Sequence, residues 1–198
     1  MAIADRFSRT TNGKRIGVFA MQHGPGTENA FPGAAQAFSD NVPILLLPGG
    51  DATSRAFVRP GFSAVENYSH VTKWLAQINH VERIPELMRR AFYQLRSGKP
   101  GPVLLEIPRN IWTADYAAEP TYTPVKGNRT APDPQDVKEA AQVLLNAKNP
   151  VLHAGQGVMY AEACEELKEL AELLQAPVMT TMPAQIAMTM VAEPRSGC

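Results

Sequence analysis

Short apolar runs without polar alternation recur along this chain and constrain its fold more than any other feature of the sequence. The clearest of them occupy residues 16–21, 42–47 and 102–107. Such runs predict strands that are buried on both faces, as in a parallel sheet. Segments with helical spacing lie between them, at about 29–39 and 84–96. Strands that alternate with helices predict parallel α/β layers.

The chain is predicted to contain two domains of this kind. Residues 113–134 include four prolines and many polar side chains, which is typical of an extended linker. Beyond them, a helix, a strand, a helix and a strand are predicted in turn at 136–147, 150–154, 161–174 and 177–181. We therefore predict an α/β domain over 1–118, a linker over 119–132, and an incomplete second α/β domain over 133–198.

Composition excludes several classes of function. Nineteen basic and nineteen acidic residues give zero net charge, which argues against general binding of nucleic acid or of an acidic membrane surface. No apolar run approaches the ~18 residues of a membrane span. Cys164 and Cys198 have no metal-ligand spacing, so neither a zinc site nor a disulfide framework is expected. A reduced, cytoplasmic compartment is the resulting expectation.

The segment His23-Gly-Pro-Gly-Thr-Glu-Asn29 is the first candidate for a functional site. It follows a predicted buried strand and precedes a helix that is rich in small residues. Ligands of open parallel sheets bind at the carboxyl ends of strands, and a helix N-terminus offers free N–H groups. Glycines also let the backbone approach a flat ligand. The alternative is an ordinary strand-to-helix turn in which Glu28 complements the helix dipole.

A second glycine turn, Gly155-Gln-Gly157, also follows a predicted strand. A dinucleotide-binding fingerprint needs a third glycine, and Tyr160 stands at that position. The acidic residue expected after the next strand is absent as well, because Thr180 and Thr181 occupy that place. An ordinary turn is the favoured interpretation, and a nucleotide-binding Rossmann protein stays a minor alternative.

Several segments together resemble the pyrimidine-binding domain of thiamine-diphosphate enzymes, in particular the acetolactate synthase group. The matching segments are ADRFSR at 4–9, GPG at 24–26 followed by Asn29, DNVPI at 40–44, VTKW at 71–74 and SGKPGPV at 97–103. The segment KNPVLHAG at 148–155 is similar to the first strand of that family's Rossmann-like central domain. The resemblance covers nearly everything from residue 2 to about residue 182.

The resemblance implies a cofactor, an activity and a set of site residues. It implies a transferase that binds thiamine diphosphate, decarboxylates a 2-keto acid and passes on the two-carbon unit. Gly24, Pro25, Gly26 and Asn29 would line the pocket for the aminopyrimidine half of the cofactor, with the Asn29 amide offering both a donor and an acceptor. In such enzymes the active site forms between two subunits, so a homodimer or a homologous partner subunit is expected.

The departures from the family pattern are equally informative. The family's catalytic glutamate would lie upstream of Met1, so no catalytic residue is assigned. The Gly-Asp-Gly motif of the domain that holds diphosphate and Mg²⁺ does not occur. His23 stands where the family usually has Ser or Thr, and residues 183–198 leave the pattern. The resemblance leaves open whether FAD binds the central domain.

These departures predict a fragment of a longer enzyme that is inactive alone. The alternative is a non-catalytic α/β module that pairs with a full-length homologue. The small-residue face of the helix after Asn29 would supply the interface, although packing of that face on the chain's own sheet is the simpler explanation.

Overall fold

The computed structural model describes residues 1–56, 58–117, 119 and 122–184. It divides into two compact units, Met1–Arg129 and Thr130–Cys198. Cys198 and most of the segment expected to leave the family pattern, residues 185–198, lie outside the described residues. The division at Arg129 falls inside the segment for which the sequence predicts a linker.

Within the described part of the first unit, four strands form one sheet in the order β1-β2-β4-β3, and every neighbouring pair is parallel. The strands are β1 (Gly17–Met21), β2 (Ile44–Gly50), β3 (Trp74–Gln77) and β4 (Val103–Pro108). In the register of the first pair, Gly17 lies opposite Ile44. The predicted parallel α/β architecture is confirmed. All four carboxyl ends lie at one edge of the sheet, because the strands are parallel.

Helices cover both faces of this sheet. They are α1 (Ala2–Thr10), α2 (Pro25–Ser39), α3 (Ala64–Asn67), α4 (Ile84–Arg96) and α5 (Arg109–Trp112). On one face, Ile44 and Leu46 pack with Ala34 of α2 and with Tyr68. On the other face, Leu45 packs against Ala91 of α4. The alternation of side chains along β2 thus supplies both layers of core.

Several element boundaries differ from the sequence prediction by a few residues. α2 begins at Pro25, four residues earlier than predicted, because proline is well tolerated at the first helical position. β3 begins at Trp74, the last residue of the VTKW segment at 71–74. The preceding residues form a turn, in which the Thr72 hydroxyl and the Val71 N–H both donate to the Tyr68 carbonyl, at 2.8 and 3.1 Å. Local side-chain hydrogen bonds of this kind compete with strand pairing.

The second unit repeats the α/β pattern on a smaller scale. Its elements are α6 (Pro134–Asn146), β5 (Leu152–Ala154), α7 (Gly157–Ala161), α8 (Cys164–Leu174) and β6 (Val178–Thr180). β5 and β6 are parallel neighbours. The Asp133 carboxylate caps α6 by accepting from the Gln135 N–H at 2.7 Å. None of the helices described in either unit has the length and apolar run that crossing a membrane requires.

Candidate functional site

The glycine segment predicted as a site opens α2 at the carboxyl edge of the sheet. Gly24 is the N-cap residue with φ +67° and ψ −109°, a conformation that favours glycine. Pro25 is the first helical residue and is exposed, and Asn29 lies about one turn further along and is also exposed. Of the four predicted residues, Pro25 and Asn29 are therefore accessible to a ligand, whereas Gly26 is half-buried and Gly24 is buried.

Buried hydrogen bonds hold this turn from beneath. Thr27 is fully buried, and its N–H and hydroxyl both donate to the Gln22 carbonyl, at 3.0 and 2.9 Å. The Tyr68 hydroxyl donates to the Thr27 carbonyl at 2.5 Å. Burial raises the pKa of Tyr68 to about 12, so its hydroxyl stays a proton donor at neutral pH.

Glycine stands at positions 24 and 26 for different structural reasons. Gly24 is buried, yet a Cβ placed on it would meet nothing within 4 Å, so its positive φ rather than a lack of space favours glycine there. A Cβ on Gly26 would lie 2.9 Å from the Cβ of Gln22, so the close approach of α2 to the end of β1 requires a glycine there.

His23 links this turn to the end of the neighbouring strand. Its Nε2 lies 3.6 Å from Oδ1 of Asp51, and the Phe62 ring meets the imidazole edge-to-face at a centroid distance of 6.3 Å. Nδ1 is buried and has no hydrogen-bond partner among the described residues. The sequence singled out His23 only as a departure from the family pattern. Its pairing with Asp51 was missed because that contact exists only once β1 and β2 lie side by side.

A cavity of about 200 Å³ lies at the carboxyl ends of β2, β3 and β4. Its lining residues are Asp51, Arg55, Ala56, Val58, Arg59, Gly61, Phe62, Ser63, Glu66, Gln77 and Glu106. None of the four predicted cofactor-binding residues lines it. Asp51 connects the two features, because it lines the cavity and also faces His23.

Glu106 contributes a buried carboxylate to this cavity and is only 2 % exposed. Its Oε2 accepts from the Ala64 N–H at 2.9 Å, and its Oε1 accepts from the Gln77 amide. A Cβ on Gly50 would lie 2.8 Å from Oε1, so the glycine makes room for the carboxylate. Sequence reasoning missed Glu106, although a charged residue inside an otherwise apolar strand was an available signal.

The remaining sequence candidates lie elsewhere. Ala30, Ala34 and Ala37 of α2 are buried, and Ala34 and Ala37 belong to the core of the first unit. The small-residue face of α2 thus packs within its own unit. Gly157 begins α7, which is only five residues long. Across the described ranges of the chain, no group of three or more His, Cys, Asp or Glu side chains is arranged to hold a metal ion.

Comparison with known protein families identifies the class of protein to which this fold belongs. Residues 1–79 match the family described as the N-terminal TPP-binding domain of thiamine pyrophosphate enzymes. Residues 137–191 match the central domain of the same enzymes. The two matches together cover more than half of the sequence. The chain belongs to the thiamine pyrophosphate enzymes, as its motifs predict.

Among individual relatives, acetolactate synthase large subunits are prominent. The chain is 31% identical over 199 residues to the acetolactate synthase isozyme 3 large subunit of Escherichia coli K12, which covers 91% of this chain and 32% of that protein. It is 30% identical over 184 residues to the glyoxylate carboligase of Escherichia coli O157:H7, covering 91% of this chain and 31% of that protein. The chain thus spans about a third of the length of the curated relatives it matches.

Solved structures agree with this assignment. A thiamin diphosphate-dependent enzyme from Mycobacterium smegmatis superposes with a TM-score of 0.80 at 27% identity, over 91% of this chain and 35% of that one. The benzoylformate decarboxylase of Polynucleobacter necessarius superposes with a TM-score of 0.78, also at 27% identity, over 91% of this chain and 34% of that one. The parallel α/β fold is therefore that of thiamine-diphosphate enzymes.

Proposed function

We propose that this chain binds the aminopyrimidine half of thiamine diphosphate and contributes that site to an enzyme resembling acetolactate synthase. The enzyme would decarboxylate a 2-keto acid and transfer the two-carbon unit. One observation carries the proposal: the Gly24-Pro25-Gly26 turn lies at the carboxyl edge of a parallel sheet, with Pro25 and the Asn29 side chain exposed.

The four residues would have distinct roles. The backbone at Gly24, Pro25 and Gly26 would lie against the flat face of the ring, and the Asn29 side chain would bond its edge. Thiamine diphosphate, when bound, supplies the carbanion chemistry, and the chain's own residues bind and orient it.

We further propose that the chain has no activity by itself and acts with a second subunit. It contains no Gly-Asp-Gly motif, and none of its described residues form a cluster that would hold Mg²⁺. The diphosphate and its metal would therefore be held by another domain, within a homodimer or by a homologous subunit. FAD is not part of the proposal, because no described residue gives a reason to place it.

A specific observation favours the second candidate function, a non-catalytic module that pairs with a full-length homologue. Ile3 and Phe7 lie one helical turn apart on α1 and are 88% and 45% exposed. Large apolar side chains that lie near one another at a surface are typical of an interaction site. These residues, rather than the buried alanines of α2, would then form the interface.

Titration of the chain with thiamine diphosphate, followed by the backbone amide NMR signals, tests the proposed site. We expect shifts confined to residues 23–30, and in the Asn29→Ala variant we expect about tenfold weaker binding, since a lost polar contact costs about 1–1.5 kcal/mol. Gln36→Ala is the matched control, because Gln36 is exposed on the same helix but lies away from the turn. Binding without shifts at 23–30, or an unaffected Asn29→Ala variant, contradicts the proposal.

Two further measurements separate the candidate functions. Turnover of pyruvate by the chain alone would contradict the assignment of the missing groups to another subunit. Restoration of turnover when a full-length homologue lacking its own pyrimidine site is added would support the catalytic role. Co-purification with such a homologue without any restored turnover favours the non-catalytic module.

A further inference from the structure

The short helix α3 lies between the buried carboxylate of the cavity and the glycine turn. Its first residue, Ala64, is fully buried, as is Tyr68, the residue that follows its last turn. Ser63 caps the start of the helix by accepting from the Glu66 N–H at 3.1 Å. Both ends of this single turn of helix are therefore fixed by contacts to other elements.

The first end of α3 is fixed by Glu106. The Ala64 N–H donates to Oε2 of that buried carboxylate, and the Gln77 amide donates to its other oxygen. A hydrogen bond to a charged acceptor in a desolvated place is stronger than one between neutral groups. Glu106 therefore anchors α3 to β4, and Gln77 holds the carboxylate in place from β3.

The second end of α3 carries Tyr68, which reaches the glycine turn. Its hydroxyl donates to the carbonyl of Thr27, in the first turn of α2. The ring of Phe31, one turn further along α2, meets the Tyr68 ring edge-to-face at a centroid distance of 5.2 Å and an interplanar angle of 80°. Tyr68 thus contacts α2 at two successive turns, through one polar and one aromatic contact.

We propose that Tyr68 is a positioning residue for the glycine turn, with Glu106 as its anchor through α3. The inference rests on the proposed function, because it assigns the purpose of this contact to the cofactor site. The Tyr68 hydroxyl donates to the Thr27 carbonyl, and Thr27 donates two hydrogen bonds to the Gln22 carbonyl. These buried bonds fix the positions of Gly24 and Asn29 relative to the sheet. Tyr68 itself is buried and does not reach the surface that a cofactor would contact.

The test compares Tyr68→Phe with Tyr93→Phe in the full chain. Tyr93→Phe is the matched control, because it also removes a hydrogen-bonded tyrosine hydroxyl, but on α4 and paired with Asn128. Two quantities are measured: the hydrogen-exchange rates of the amides at 26–29 and the Kd for thiamine diphosphate. One lost hydrogen bond predicts exchange about fivefold faster and binding about fivefold weaker for Tyr68→Phe, and no change in either for Tyr93→Phe.

A second variant tests the anchor. Glu106→Gln keeps the shape of the side chain and removes its charge, so we expect faster exchange at Ala64 and Tyr68 together with a smaller increase at 26–29. If the wild type binds and Tyr68→Phe leaves both exchange at 26–29 and Kd unchanged, the positioning role is overturned. If the wild type does not bind, the proposed function fails, and the exchange rates still decide whether Tyr68 holds the turn.

Discussion

The hydroxyl of Ser8 accepts a hydrogen bond of 2.8 Å from the backbone N–H of Gly17. The same hydroxyl donates to the carbonyl of Pro43 at 2.6 Å, and Ser8 is fully buried. One small side chain on α1 therefore satisfies a donor at the start of β1 and an acceptor just before β2. Both backbone groups would otherwise be buried without a partner.

Replacement of Ser8 by alanine should destabilise the first unit markedly. The Gly17 N–H and the Pro43 carbonyl would both lose their partner, which predicts a loss of about 2–3 kcal/mol in the free energy of unfolding. Urea denaturation followed by circular dichroism measures it. Ser39→Ala, at an exposed position at the end of α2, is the control, and equal losses in the two variants would be inconsistent with this account.

Gly24 and Gly98 form a matched pair for testing the glycine turn. Both have positive φ, +67° and +61°, and a Cβ at either would meet nothing within 4 Å. Gly98→Ala should therefore cost about 1 kcal/mol through backbone strain, and Gly24→Ala about 1–3 kcal/mol, because its ψ of −109° lies outside the left-handed helical region. Only Gly24→Ala should also weaken thiamine diphosphate binding, by tenfold or more, because its methyl group would occupy the proposed ring face. Equal Kd values for the two variants would remove Gly24 from the site.

The stability of the first unit should fall between about pH 10 and pH 12. The pKa of Tyr68 is about 12 in the folded chain against 10.0 for an unperturbed tyrosine, and the cause is burial. The folded state therefore retains a proton that the unfolded state loses, so this contribution is complete below pH 10 and is lost as the pH rises through 12. We expect a loss of about 2 kcal/mol from this group.

Comparison with Tyr68→Phe separates the contribution of Tyr68 to the pH dependence of stability from that of the lysines, which titrate in the same pH range. The difference in unfolding free energy between wild type and variant should shrink, or reverse, from about pH 9 to about pH 12. Chemical denaturation at a series of pH values measures that difference. A difference that stays constant over the range would mean that Tyr68 ionises normally.

Arg9 lies between two carboxylates that would otherwise face each other. Its Nε is 2.7 Å from Oδ2 of Asp5, and its Nη2 is 2.7 Å from Oδ2 of Asp40. Arg9→Met should cost about 1–2 kcal/mol, because it removes two partly buried ion pairs and leaves like charges close together. Salt of about 1 M should reduce that cost by screening the charges.

The control for Arg9→Met is a variant that removes a single and more exposed ion pair. Arg90→Met removes only the contact of Arg90 with Glu86, at 3.1 Å, and should cost less than about 0.5 kcal/mol. Thermal unfolding at low and high salt compares the two variants. A salt-independent loss for Arg9→Met would assign its effect to the packing of its aliphatic stem instead.

Strand type was predictable because it depends on burial along a short run of sequence. Leu45 and Leu46 belong to the cores on opposite faces of the sheet, which is why their run shows no polar alternation. Element boundaries were less predictable. β3 starts only at Trp74 because hydrogen bonds from residues 71 and 72 back to Tyr68 turn the chain first, and an apolar pattern carries no record of such bonds.

The sequence by itself determined the class of fold and the family, because each depends on the character of contiguous segments and not on contacts between distant residues. The tertiary structure alone decided that His23 faces Asp51, that Glu106 anchors α3 and that Tyr68 supports Thr27. These contacts join residues that lie 28 to 42 positions apart. They arise from the spatial order of the parallel strands in the sheet, which brings the carboxyl ends of β1, β2 and β4 to one edge.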